Sequence, residues 1–188
     1  MPNDRNERLA ADYREMLQFQ DRPYLSWIVT KGEPPFAEEY LLTVRIRTYA
    51  LSATEERYIV STIDKCTIRI TLWDSYPKIA PNTKMLNMPP VFHPNWYSKG
   101  TYCPSTLWQE GDSLKDYVKR MLGTLTYDPS LVETKSPANF KAAAWFNKMR
   151  DREEFFPSDH VALTENSPDE ITEKEQLGEI IDSWEIKR

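Results

Sequence analysis

The chain has 188 residues, 40% hydrophobic and 12% aromatic, which suits one packed domain, or one domain with a tail, and excludes wholesale disorder. No run of about 18 apolar residues occurs, so no membrane span is expected, and residues 1–12 show no secretory pattern. The charge is divided: residues 151–188 hold 12 acids and 4 bases, leaving 17 acids and 20 bases in residues 1–150 out of totals of 29 and 24. A mildly basic body without a dense basic stripe argues against nucleic acid and for acidic protein partners. Two cysteines, Cys66 and Cys103, and two histidines, His93 and His160, supply neither a disulfide framework nor a metal-ligand set. The expectation is a reducing, cytoplasmic compartment with no metal and no cofactor.

Residues 4–20 read as a helix, with Leu9, Tyr13, Met16 and Leu17 on one face and Pro23 beyond its end. A strand over residues 24–29 ends at the turn Lys31-Gly32-Glu33-Pro34-Pro35. Val44, Ile46 and Thr48 alternate with Arg45 and Arg47, and Cys66, Ile68, Ile70 and Leu72 alternate with Thr67, Arg69 and Thr71. That is a half-buried antiparallel pattern, with a polar hairpin loop over residues 52–57 between the two strands. Leu114, Tyr117, Val118, Met121, Leu122 and Leu125 form a helical stripe opened by Ser113 and Asp116. Ser136-Pro137 reads as a helix cap followed by proline in the first turn of a helix over residues 138–149. A short amphipathic helix is expected around Leu177, Ile180, Ile181 and Trp184 in the acidic extension. Helix, strands, irregular segment, helices: the elements are segregated, which makes the fold class α+β.

The stretch from residue 76 to residue 104 differs from the rest. Its six prolines forbid a long helix, yet Val91-Phe92 and Trp96-Tyr97 are too apolar for a solvated linker. A long structured loop inside a compact domain is usually functional. It contains Cys103, in a Gly-containing loop able to expose a thiol, whereas Cys66 sits in a strand beside Ile68 and reads as a buried small hydrophobe.

His93-Pro94-Asn95, four residues, Gly100, two residues, Cys103 resembles the active-site segment of ubiquitin-conjugating enzymes. Tyr76-Pro77 with Pro81 resembles that family's YPxxxP segment, and the likeness runs from about residue 4 to residue 150. It implies a ubiquitin-conjugating-enzyme-like fold: an N-terminal helix, an antiparallel sheet of about four strands, then C-terminal helices. Residues 1–150 would be the catalytic domain and residues 151–188 an acidic, partly helical extension. Trp108 close behind Cys103, and Pro104 directly after it, mark a divergent member, for which a bacterial source and a part in antiviral defence are expectations.

By this resemblance Cys103 carries a ubiquitin-like protein, or another protein with a C-terminal glycine, as a thioester received from an activating enzyme and passed to an amine on a target protein. Asn95 either donates to the tetrahedral oxyanion or pins the loop; both roles stay open. His93, Pro94 and Gly100 support the loop. Tyr102, Ser105 and Ser136 are the candidates for steering the incoming amine, and Arg5, Arg8 and Phe36 for contacts with partners. Two alternatives stand beside this: a non-catalytic scaffold of the same fold, and a cysteine hydrolase pairing Cys103 with His93. The hydrolase lacks an orienting third group. Five glycines form no phosphate-cradling loop, which disfavours a nucleotide-using enzyme.

Overall fold

The structure, a computed structural model, describes residues 4–20, 22–53, 58–104, 108–160 and 163. Helix α1, Asp4–Met16, turns Leu9 and Met16 inward and ends in a single 3₁₀ turn, Leu17–Phe19. The tighter winding rotates Leu17 off the apolar face, leaving it 39% exposed, and puts Phe19 inside in its place. The expected four-residue stripe is therefore corrected at Leu17.

Strands β1 (Leu25–Lys31), β2 (Glu39–Val44), β5 (Cys66–Thr71) and β6 (Asn82–Met85) form an antiparallel sheet in the order β1-β2-β5-β6. The pairs Tyr40↔Ile70, Leu42↔Ile68 and Val44↔Cys66 are all buried, one face of the pleat. Strands β3 (Thr48–Ala53) and β4 (Tyr58–Ile63) make a separate two-stranded sheet. Between the pairs Val44↔Cys66 and Thr48↔Ile63, Arg45, Ile46 and Arg47 stand against only Asp64 and Lys65. The surplus residue breaks the ladder and redirects the hairpin, so the single strand expected through Val44, Ile46 and Thr48 is two. Residues 54–57 of the expected loop lie outside the described residues.

Helix α2, Leu114–Leu125, follows the expected stripe and buries Leu114, Tyr117, Val118, Met121, Leu122 and Leu125 in the core shared with the sheet. Ser113 Oγ accepts the Asp116 N–H at 3.1 Å, the expected cap. Helix α3, Phe140–Met149, is corrected at its start: its cap is Asn139, whose Oδ1 accepts the Ala142 N–H at 3.1 Å. Ser136 lies ahead of the helix, its N–H given to the Glu133 carboxylate at 2.9 Å.

A second core of Tyr49, Tyr127, Phe146 and Phe156, with Trp145 against it, sits under β3. The packed body runs past residue 150: Phe156 fills this core, and Ser158 Oγ donates to Arg47 O at 2.7 Å, clasping the bend of the hairpin. The amphipathic helix expected near Leu177 falls among residues 164–188, outside the described residues. No helix among the described residues is long and apolar enough to cross a membrane. Asn139→Ala is expected to cost about 1 kcal/mol in urea unfolding, whereas Ser136→Ala costs close to nothing; the reverse order would restore Ser136 as the cap.

Candidate active site

The segment leading to Cys103 is held from below by β3. Phe92 N–H donates to Tyr49 O at 2.7 Å, and Tyr127 OH donates to Phe92 O. His93 is fully buried, its ring centroid 4.3 Å from that of Tyr127. Its Nδ1 accepts the Asn95 N–H at 3.0 Å, so the proton resides on Nε2. Burial pulls the imidazole down to about 3, which leaves it neutral in ordinary buffers. Pro94 O accepts the Asn139 N–H at 3.1 Å and joins this turn to the start of α3.

Asn95 is 3% exposed and bonded from both ends of its amide. Nδ2 donates to Leu131 O at 3.0 Å, Oδ1 accepts the Glu133 N–H at 2.9 Å, and the backbone oxygen of Asn95 accepts the Cys103 N–H at 2.8 Å. One residue thus holds the cysteine on one side and the 131–133 loop on the other. Of the two roles left open for Asn95, its resting contacts are those of a loop pin.

Between Asn95 and Cys103 the chain makes a tight hairpin. Tyr97 N–H donates to Thr101 O and Gly100 N–H to Tyr97 O, both at 2.8 Å. Gly100 turns the corner at φ +84°, and a Cβ there would stand 3.0 Å from Met85 O and 3.2 Å from Pro90 Cβ. A side chain here would be strained by the backbone and crowded by these neighbours. Met85 N–H donates to Gly100 O at 2.7 Å and Tyr102 N–H to Thr83 O at 3.0 Å, fastening the hairpin to β6.

Cys103 emerges half-buried, with the Tyr97 hydroxyl 4.0 Å from Sγ. Tyr97 is 48% exposed, and a thiolate on Cys103 would oppose phenolate formation, which raises the phenol above its ordinary range. Tyr102 is buried against Trp96 at 5.0 Å and Tyr117 at 5.8 Å, so its side chain packs in the core, where it is not open to an incoming amine. Ser105 lies outside the described residues, and Ser136 is exposed.

Sequence reasoning missed Tyr97 and Glu133. The Glu133 carboxylate accepts the Lys135 N–H at 2.6 Å and the Ser136 N–H at 2.9 Å, and these two donors, that of Ser136 first, hold it below the usual carboxylate range. An acid five residues after Asp128 was the available signal, but only the Asn95 contact locates it. Cys66, by contrast, is buried in the sheet and its thiol is pushed up to about 12.

The expected partner contacts differ among themselves. Phe36 projects from its turn and is exposed. Arg5 bonds Glu38 Oε1 at 2.9 Å and Leu72 O at 3.1 Å, and Arg8 is likewise engaged within the chain, so neither guanidinium stands free on α1.

No protein-family model matches the sequence, and no curated protein matches it. Among solved structures the chain is similar to Ubc12 of S. cerevisiae, at 19% identity over 78% of this chain and 74% of that one, with a TM-score of 0.53. A ubiquitin-conjugating enzyme described from Plasmodium yoelii matches at 17% identity over 80% and 88% of the two chains, TM-score 0.51. One described from Trypanosoma cruzi matches at 15% identity over 77% and 91%, TM-score 0.53. At these identities the likeness establishes the fold, which is that of ubiquitin-conjugating enzymes.

Burial of His93 has a measurable consequence. Above pH 6.5 the folded and unfolded chains both keep this imidazole neutral; between there and about 3 only the unfolded chain protonates. Stability is therefore expected to fall as pH is lowered through that window, by up to about 1.4 kcal/mol per pH unit. Imidazole NMR resonances check it: a His93 ring that titrates near its ordinary value in the folded protein contradicts the assignment.

Proposed function

We propose that this chain is a ubiquitin-conjugating-like transferase in which Cys103 carries an acyl group as a thioester. The observation that carries the reading is the pairing of a half-buried Cys103 with an Asn95 that holds both the cysteine and the facing 131–133 loop. In the first step the Cys103 thiolate attacks the thioester carbonyl of a C-terminal glycine on an activating enzyme, and that enzyme's thiol leaves. In the second, an amine on the target attacks the Cys103 thioester; the amide forms, the C–S bond breaks and the sulfur regains a proton. Thioester exchange needs only some thiolate on the attacking sulfur and no dedicated base beside it.

Aminolysis asks for more. The Nδ2 of Asn95 has a second N–H beyond the one given to Leu131 O, the kind of donor that stabilises a tetrahedral oxyanion. Glu133 supplies the negative charge that Ser136 lacks, able to take the proton from the amine once its attack on the thioester has begun and its pKa has fallen from the free ~10.4. The Tyr97 hydroxyl at 4.0 Å can donate to the departing sulfur. His93, neutral and buried with Nδ1 occupied, gives the cysteine-hydrolase alternative no base. The scaffold alternative predicts no adduct at all.

The test is incubation with an activating enzyme, ATP and a ubiquitin-like protein. Wild type is expected to form a reductant-labile adduct, Cys103→Ala none, and Cys103→Ser a reductant-resistant ester; absence of any adduct across candidate modifiers leaves the scaffold reading. With pre-charged protein, Glu133→Gln should slow discharge to lysine about 10-fold at pH 7, the deficit shrinking toward pH 9 as solvent deprotonates the amine. Tyr97→Phe should slow it about five-fold, the worth of one hydrogen bond, and Ser136→Ala should leave it unchanged. Phage challenge of cells carrying wild type or Cys103→Ala tests the defence role.

A further inference from the structure

Helix α2 ends on an unusual residue. Beyond Thr126, the Tyr127 N–H donates to Thr124 O at 2.9 Å and the Asp128 N–H to Gly123 O at 3.0 Å, the pair of bonds that closes a helix on a left-handed residue. Glycine ordinarily stands at that corner, because it alone turns left-handed without cost. Here the corner is Tyr127, at φ +59°, and among the described residues no other side chain is carried at positive φ. A bulky aromatic in this conformation is strained, and such strain persists where the side chain is needed.

The contacts of Tyr127 show the need. It is fully buried, its ring centroid 4.3 Å from that of His93 and 4.7 Å from that of Phe156, and its hydroxyl donates to Phe92 O. Packing alone would be met by phenylalanine; the hydroxyl is what holds the carbonyl just ahead of the His93-Pro94-Asn95 turn. From there the contacts run to the thiol segment without a gap. His93 Nδ1 accepts the Asn95 N–H at 3.0 Å, and Asn95 O accepts the Cys103 N–H at 2.8 Å. The backbone of Tyr127 leads the other way, into Asp128, whose carbonyl accepts the Leu131 N–H at 2.9 Å. Leu131 O and the Glu133 N–H are the two groups bound by the Asn95 amide, at 3.0 and 2.9 Å. One residue therefore sets both sides of the site. We infer that Tyr127 is a positioning residue for acyl transfer at Cys103, its phenol fixing the root of the cysteine segment and its left-handed backbone fixing where the facing loop begins. This rests on the acyl-carrier reading above. Aminolysis needs the acyl carbon and the Asn95 amide in a defined relation, and thiolate exchange depends on that relation less.

The experiment compares wild type, Tyr127→Phe, which keeps the ring and removes one oxygen, and Phe156→Leu, which loosens the same core and leaves the hydroxyl in place. Melting, charging, discharge of pre-charged protein to free lysine, and hydrogen exchange at the Asn95 amide are measured. Tyr127→Phe is expected to charge to the wild-type extent and to discharge about 10-fold more slowly, with exchange at Asn95 raised about 10-fold. Burial pushes the phenol well above its ordinary range, so the donor keeps its proton and the deficit should be the same at every pH from 7 to 9. Phe156→Leu is expected to melt at least as low as Tyr127→Phe and to discharge within about two-fold of wild type. Wild-type discharge by Tyr127→Phe overturns the inference, as does an equal loss in Phe156→Leu. Should Tyr127→Phe not fold, native-state exchange of wild type in mild urea decides. The Asn95 and Asp128 amides are expected to open as one unit, and an Asn95 amide that opens while Asp128 stays closed overturns the coupling. If wild type itself fails to charge, the acyl-carrier reading falls and the placement is read from exchange alone. An Asn95 amide about 10-fold faster in Tyr127→Phe supports it, and an unaltered rate overturns it.

Discussion

A single buried carboxamide organises the surroundings of the thiol. Asn95 is 3% exposed, so each polar atom of its amide must find a partner or cost about 1–3 kcal/mol unpaired. The partners it finds, Leu131 O and the Glu133 N–H, belong to a loop more than 35 residues along the chain. Its backbone oxygen takes the Cys103 N–H, and its own N–H is aimed by His93. The spacing between Cys103 and the 131–133 loop is therefore a consequence of one side chain's need for hydrogen bonds, in a place water does not reach.

Burial also separates the polar groups enclosed in the protein from those that keep access to solvent. His93 and Tyr127 lie in the second core and are held neutral by desolvation, which makes them supports. Cys66 is silenced in the sheet for the same reason. Cys103, Tyr97 and Glu133 stand on a hairpin and a loop that Asn95 ties together, each with part of its surface open to solvent. The Gly100 corner matters here because a side chain there would be strained at φ +84° and crowded against Met85 and Pro90.

Much of this was legible in the sequence, for definite reasons. Helix α2 was plain because its stripe faces one core along its whole length. The bulge in the long hairpin was not, because Val44, Ile46 and Thr48 are all buried and the alternation runs straight through the break. Only the shorter count on the partner strand, Asp64 and Lys65, reveals it. The cap of α3 was misassigned because Ser136-Pro137 and Asn139 both carry capping chemistry, and the contact of Glu133 with the Ser136 N–H decides between them. Cys103, Asn95 and Gly100 were singled out through the resemblance to the active-site segment of ubiquitin-conjugating enzymes, and the structure brings all three together on one hairpin. Glu133 was not, since its place beside Asn95 is a tertiary fact, and Tyr97 was overlooked although the hairpin that Gly100 demands folds it back toward Cys103.

Asn95 is the link between the cysteine segment and the facing loop, and hydrogen exchange at the Glu133 amide in Asn95→Ala measures that link without any partner protein. Loss of the acceptor should raise exchange at this amide by about 100-fold, while amides in the middle of α2 keep their protection. A Glu133 amide as protected as in wild type would mean that something other than Asn95 holds the loop, which contradicts its role as the link.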